Sequence, residues 1–88
     1  MHEETVHAKV LSLVRSRSQA AARNAALPDD LNLVEAGFLD SIAFVSLLAE
    51  VEHVFNISLD LIEEPIETFV QIGSLTSYIC RQLTMQNH

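Results

Sequence analysis

Asp40-Ser41-Ile42-Ala43-Phe44-Val45-Ser46-Leu47-Leu48-Ala49-Glu50-Val51-Glu52-His53-Val54-Phe55 is the stretch on which the fold turns. Phe44, Leu48, Val51 and Phe55 step by four, three and four residues, which puts them on one stripe of a helix. Leu47 and Val54 are expected to widen that stripe. Asp40 and Ser41 both suit a helix N-terminus, and Asn56 ends the pattern.

Working outward, residues 3 to 17 read as a first amphipathic helix, with Val6, Val10, Leu13 and Val14 on its apolar side and Lys9 and Arg15 off it. The alanine-rich residues 18 to 27 favour helix by composition but lack a strong apolar face, so helix and loop both stay open. Residues 28 to 40 open on Pro28 and read as a long ordered loop. Ile57-Ser58-Leu59 alternates like a short extended piece, with no partner strand on offer. Pro65 suits the first turn of a short helix near 65 to 69, and Ile72, Leu75, Ile79 and Leu83 mark a last helix over about 72 to 84. Three main helices and one short one predict an all-α four-helix bundle, with residues 1 to 88 as a single domain.

Composition narrows the function. Five basic residues against twelve acidic ones leave a net charge of −7, which opposes nucleic acid and anionic membrane surfaces alike. The N-terminal Met1-His2-Glu3-Glu4 is acidic where a signal peptide is basic, and no apolar run approaches a bilayer span. A cytoplasmic, monomeric protein is expected. Cys80 is the only cysteine, which excludes an internal disulfide and C-x-x-C motifs; a buried structural thiol is the expected state. With only Gly37 and Gly73, no glycine-rich phosphate loop is possible.

A self-sufficient active site is also hard to assemble. Ser41 and His53 are twelve residues apart on one helix, roughly 18 Å at the usual rise, far beyond the reach of a base for its nucleophile. Glu50 and His53 lie one turn apart, but two ligands do not make a metal site. His2, His7 and His88 sit at or near the ends, where solvation is the ordinary state. What remains is Ser41 at a helix N-terminus, where free N–H groups and the positive end of the dipole suit an attached phosphate. A plain capping role for Asp40 or Ser41 accounts for the same residues.

The run Gly37-Phe38-Leu39-Asp40-Ser41-Ile42 resembles the G-x-x-D-S-[LI] signature of acyl and peptidyl carrier proteins. Asp30 to Gly37 resembles that family's preceding loop. Leu48, Val51, Glu52, Phe55, Ile57 and Leu59 resemble its E-x-x-F-x-I-x-L step, and Phe69, Ile72, Gly73, Ser74, Leu75, Tyr78 and Ile79 the start of its last helix. The likeness covers residues 28 to 83. It implies a four-helix carrier fold, with 4′-phosphopantetheine from coenzyme A joined to Ser41 by a phosphopantetheinyl transferase and Asp40 helping that enzyme recognise the site. The arm would hold an acyl or aminoacyl group as a thioester, loaded by an adenylating ligase or acyltransferase and passed to a condensing, modifying or transfer enzyme. The chain itself would catalyse nothing.

With the core stripe inward, Ile42, Val45, Ser46, Ala49, Glu52 and His53 are expected to turn outward near the arm and meet partners. Four basic residues and two acids precede residue 24, leaving +2, while ten acids and Arg81 follow, leaving −9. Glu63 and Glu64, with Asp60 and Glu67, fall near the short helix and would steer a basic partner. The exposed side of the second helix carries few acids, and the Gly-Phe-Leu-Asp-Ser run looks closer to stand-alone aminoacyl, peptidyl or D-alanyl carriers of nonribosomal-peptide, polyketide or aminoacyl-transfer pathways. A fatty-acid-synthesis carrier and an unmodified carrier-fold interaction module are the alternatives.

Overall fold

Charge order along the first helix follows its dipole: Glu3 and Glu4 open α1 (Glu3–Arg17), and Arg15 and Arg17 close it. The computed structural model describes residues 2–18 and 26–86. Three further helices follow, α2 (Ser41–Phe55), α3 (Glu67–Val70) and α4 (Ile72–Gln86), with no strand among the described residues. The choice between helix and loop for residues 18–27 falls largely on 19–25, outside the described residues. Ser18 is described; its extended backbone ends α1, and its hydroxyl donates to the Val14 carbonyl at 2.6 Å.

The core forms where the stripes meet. Val6, Val10 and Val14 of α1 are fully buried, with Leu13 half-buried beside them. α1 packs on both α2 and α4, and α3 packs on α4. Phe44, Leu47, Leu48, Val51 and Phe55 supply the α2 side, and Ile72, Leu75, Tyr78 and Ile79 the α4 side. Phe69 from α3 meets Tyr78 edge to face, with ring centroids 5.3 Å apart. Each such side chain withdrawn from water contributes about 1.5–3 kcal/mol before the entropy of ordering is counted.

Three expectations need correction. Val54 does not widen the α2 core: it lies at the edge of the stripe and stays 41% exposed. The short helix starts at Glu67, not Pro65, because Thr68 and Phe69 donate to the carbonyls of Pro65 and Ile66 in tight three-residue turns ahead of the regular segment. Cys80 is half-buried rather than buried, and desolvation, then the nearby Glu3 carboxylate, push its thiol pKa up.

The long loop before α2 is ordered by its own polar groups. Asn32 Oδ1 accepts the amides of Val34 and Glu35, and the Asn32 carbonyl accepts Ala36 N–H at 2.9 Å. Gly37 then takes φ +83°, a conformation that a side chain would strain. Leu33 and Leu39 drop into the core. Leu33 also donates its amide to the Val70 carbonyl at 2.9 Å and accepts the amides of Phe38 and Leu39, which fastens the loop to α3.

Candidate functional site

That loop delivers the chain to the N-terminus of α2. Asp40 has extended backbone and acts as the N-cap, its Oδ1 accepting Ala43 N–H at 2.7 Å. Its carbonyl accepts Phe44 N–H at 2.9 Å. The capping role therefore falls to Asp40, and Ser41 is the first helical residue. Ser41 is exposed, and its hydroxyl has no hydrogen-bond partner among the described residues. The Ser41 and Ile42 amides have no intrahelical acceptor.

A covalent phosphate fits this geometry. The hydroxyl is accessible, and two amides and the positive end of a four-turn helix lie next to it. Asp40 is the nearest counter-argument, but its carboxylate is already engaged with Ala43 N–H.

The exposed side of α2 runs from there. Ile42 is 81% and Val45 64% exposed, and Ala49 and His53 are also exposed. Two residues expected on this face are turned partly inward. Ser46 is half-buried. Glu52 is half-buried because its Oε2 accepts Leu59 N–H at 2.9 Å, which holds the chain leaving α2. Glu63 is exposed, with its amide bonded to Asp60 Oδ1. Glu64 is half-buried: it accepts the Thr68 hydroxyl, and Arg81 approaches its carboxylate at 3.9 Å.

Ser41 and His53 remain on one helix at opposite ends, and no group of three or more metal-ligating side chains forms among the described residues. His7 is not simply solvated: its Nε2 lies 2.8 Å from Asp29 Oδ1, so it ties α1 to the start of the loop. Glu50 receives both Nε and Nη2 of Arg17. Sequence reasoning missed these ties because nothing in local spacing marks them. It also passed over Leu61 and Ile62, although two adjacent apolar residues set among acids are visible in the sequence.

Residues 8–79 match the phosphopantetheine attachment site family, most of the chain and all of α2 included. The chain belongs to that family. Its domain is the site of covalent 4′-phosphopantetheine attachment, and it is a carrier acted on by a phosphopantetheinyl transferase and by partner enzymes. Carriers of this family are generally non-catalytic. No curated protein matches the chain. Among the described residues, no helix of the carrier is long and apolar enough to cross a membrane.

Proposed function

We propose that Ser41 bears the arm and that residues 1–88 act as one monomeric, non-catalytic carrier unit in the cytoplasm, for an acyl or aminoacyl group. The observation that carries this is the division of labour at α2: Asp40 caps the helix, and the adjacent Ser41 hydroxyl is exposed and unengaged. Attached there, the arm supplies a terminal thiol that holds the group as a thioester. The chain's own residues fix the attachment point, keep it clear of the core and present the face around it. Asp40 holds the first turn in the shape that the transferase meets.

An aminoacyl or peptidyl cargo, loaded by an adenylating ligase and used by a condensing, modifying or transfer enzyme, is favoured over fatty-acid synthesis. The exposed side of α2 offers Ile42, Val45, Ala49 and His53, and its one outward candidate acid, Glu52, is engaged by Leu59 N–H. A partner reading that face meets apolar surface more than carboxylates. Glu63 and the half-buried Glu64 add acidic steering from the far end of α2.

Intact mass before and after incubation with coenzyme A and a broad-specificity phosphopantetheinyl transferase tests the assignment. Gain of one phosphopantetheinyl group, absent in Ser41→Ala, is expected. A folded, unmodified chain that gains nothing while a known carrier is modified alongside it refutes the assignment and leaves an unmodified interaction module.

A further inference from the structure

α3 spans only four residues, so its carbonyls have no amide four residues on within its own span. Two donors from outside the helix close its far end. The Leu33 amide donates to the Val70 carbonyl at 2.9 Å. The other donor is the Ser74 hydroxyl, which reaches the Thr68 carbonyl at 2.9 Å, with the carbonyls of Glu67 and Gln71 around it at 3.2 and 3.4 Å. One hydroxyl hydrogen faces three acceptors, so Thr68, the nearest, is its main partner. The Gln71 carbonyl is served in any case by Leu75 N–H at 3.0 Å. Ser74 belongs to the first turn of α4, and its side chain turns back to fasten the helix before it.

From α3 the bonds run on towards Ser41. Leu33, fully buried, hangs on Val70 by its amide, and its carbonyl accepts Phe38 N–H at 3.0 Å and Leu39 N–H at 3.1 Å. Leu39, also buried, is followed by Asp40, which caps α2 through Ala43 N–H, and then by Ser41. The start of the loop is held separately, by the Gly73 amide on the Asp29 carbonyl. The Leu33 node therefore governs the half of the loop nearest Ser41, and its outer anchor is α3.

We propose that Ser74 is a positioning residue for attachment of the arm: its hydroxyl fixes α3, α3 fixes Leu33, and Leu33 fixes the turn that presents Ser41 to the transferase. Ser74 touches no reacting atom and acts only through these bonds. The proposal deepens the carrier reading and rests on Ser41 being the attachment point. Glu67 is exposed and Thr68 half-buried, so water takes over their carbonyls when the hydroxyl is removed, and the bundle survives. What is lost is the fixed seat of α3. A chain that holds the presenting turn only part of the time binds its enzyme more weakly by that fraction, which raises KM rather than lowering kcat.

The test compares the unmodified wild-type chain with Ser74→Ala and with Ile79→Val. The second variant removes a buried carbon from the same helix but leaves Ser74 and its three acceptors in place. Time courses of intact mass with coenzyme A and a phosphopantetheinyl transferase give KM and kcat for each chain. Amide hydrogen exchange, measured without the transferase, reads the loop directly. Ser74→Ala should raise KM by roughly two- to tenfold, the size of one lost hydrogen bond, with kcat nearly unchanged. Exchange at the Leu33, Phe38 and Leu39 amides should quicken by a similar factor relative to Val10 in α1. Ile79→Val should keep the wild-type KM and the wild-type ratio of exchange, although its melting temperature also falls. A KM for Ser74→Ala equal to that of Ile79→Val, or an unchanged exchange ratio at those three amides, overturns the proposal. Failure of the carrier reading looks different, because the wild-type chain then gains no mass at all.

Discussion

The Asp40 carboxylate lies 2.7 Å from the Ala43 amide and so caps α2 from the position just before Ser41. One residue thereby holds the helix end and also stands beside the hydroxyl. Asp40→Ala should lower stability by about 1 kcal/mol, while Asp40→Asn, which keeps a capping oxygen, should lose only a few tenths. Denaturant melts measure that difference. Transferase kinetics on the two variants then separate shape from charge: equal slowing in both assigns Asp40 a charge role, and slowing in the alanine variant alone assigns it a scaffold role.

Gly73 sits where α4 begins, and its amide donates to the Asp29 carbonyl at 3.0 Å. A Cβ on Gly73 would stand 3.0 Å from Asp29 Cβ and 3.2 Å from its carbonyl oxygen. In an open helix, Gly→Ala gains up to about 1 kcal/mol. Here Asp29 is held from both sides, by the Gly73 amide and by His7, so it cannot withdraw without losing a bond. Gly73→Ala should therefore destabilise by about 1–2 kcal/mol, and adding His7→Ala should recover part of the loss. Thermal melts of the two single variants and the double variant decide it.

Arg17 and Glu50 join the last turn of α1 to the middle of α2. Both side chains are partly exposed, so the pair should contribute no more than about 0.2–1 kcal/mol. A double-mutant cycle with Arg17→Ala and Glu50→Ala should show a coupling of that size, shrinking as salt is added.

Cys80 has its thiol pKa raised by burial and by Glu3. At neutral pH it should react with a disulfide reagent more slowly than a free cysteine, because less thiolate is present. A phosphopantetheinylated chain should then show two phases, a fast one from the arm and a slow one from Cys80, and Ser41→Ala only the slow one. The sign for stability follows from the same shift. Above the ordinary thiol value of 9.0, the unfolded chain gives up its proton while the folded chain keeps it, so stability falls with rising pH. Below that value the group contributes no slope. Cys80→Ser should flatten the alkaline limb.

Local periodicity carried most of the fold. The bounds of α1 and the start of α2 agree with the spacing of Val6, Val10 and Val14 and of Phe44, Leu48, Val51 and Phe55. Periodicity says which side of a helix is apolar, but not how much of it a neighbour covers, and Val54 stayed exposed for that reason. Nor does it show where a carboxylate finds a donor. Glu52 was legible as polar and one-sided, yet its acceptor role toward Leu59 N–H depends on how the chain folds back after Asn56, which takes a left-handed conformation at φ 53°. The ties from Arg17 to Glu50 and from His7 to Asp29 span 33 and 22 residues and leave no trace in neighbouring sequence. At the candidate site, the exposure of Ser41 was legible from its place at a helix start, but which of Asp40 and Ser41 took the cap was not.

The bond from Leu33 to Val70 has a practical corollary for anyone who would transplant this serine. α2 moved alone into another scaffold would arrive without the segment that sets its first turn, because that segment, capped onto α2 by Asp40, is itself moored to α3. The smallest piece that keeps the brace with its post runs from Pro28 on into α4, which carries α3 and whose Gly73 amide holds Asp29.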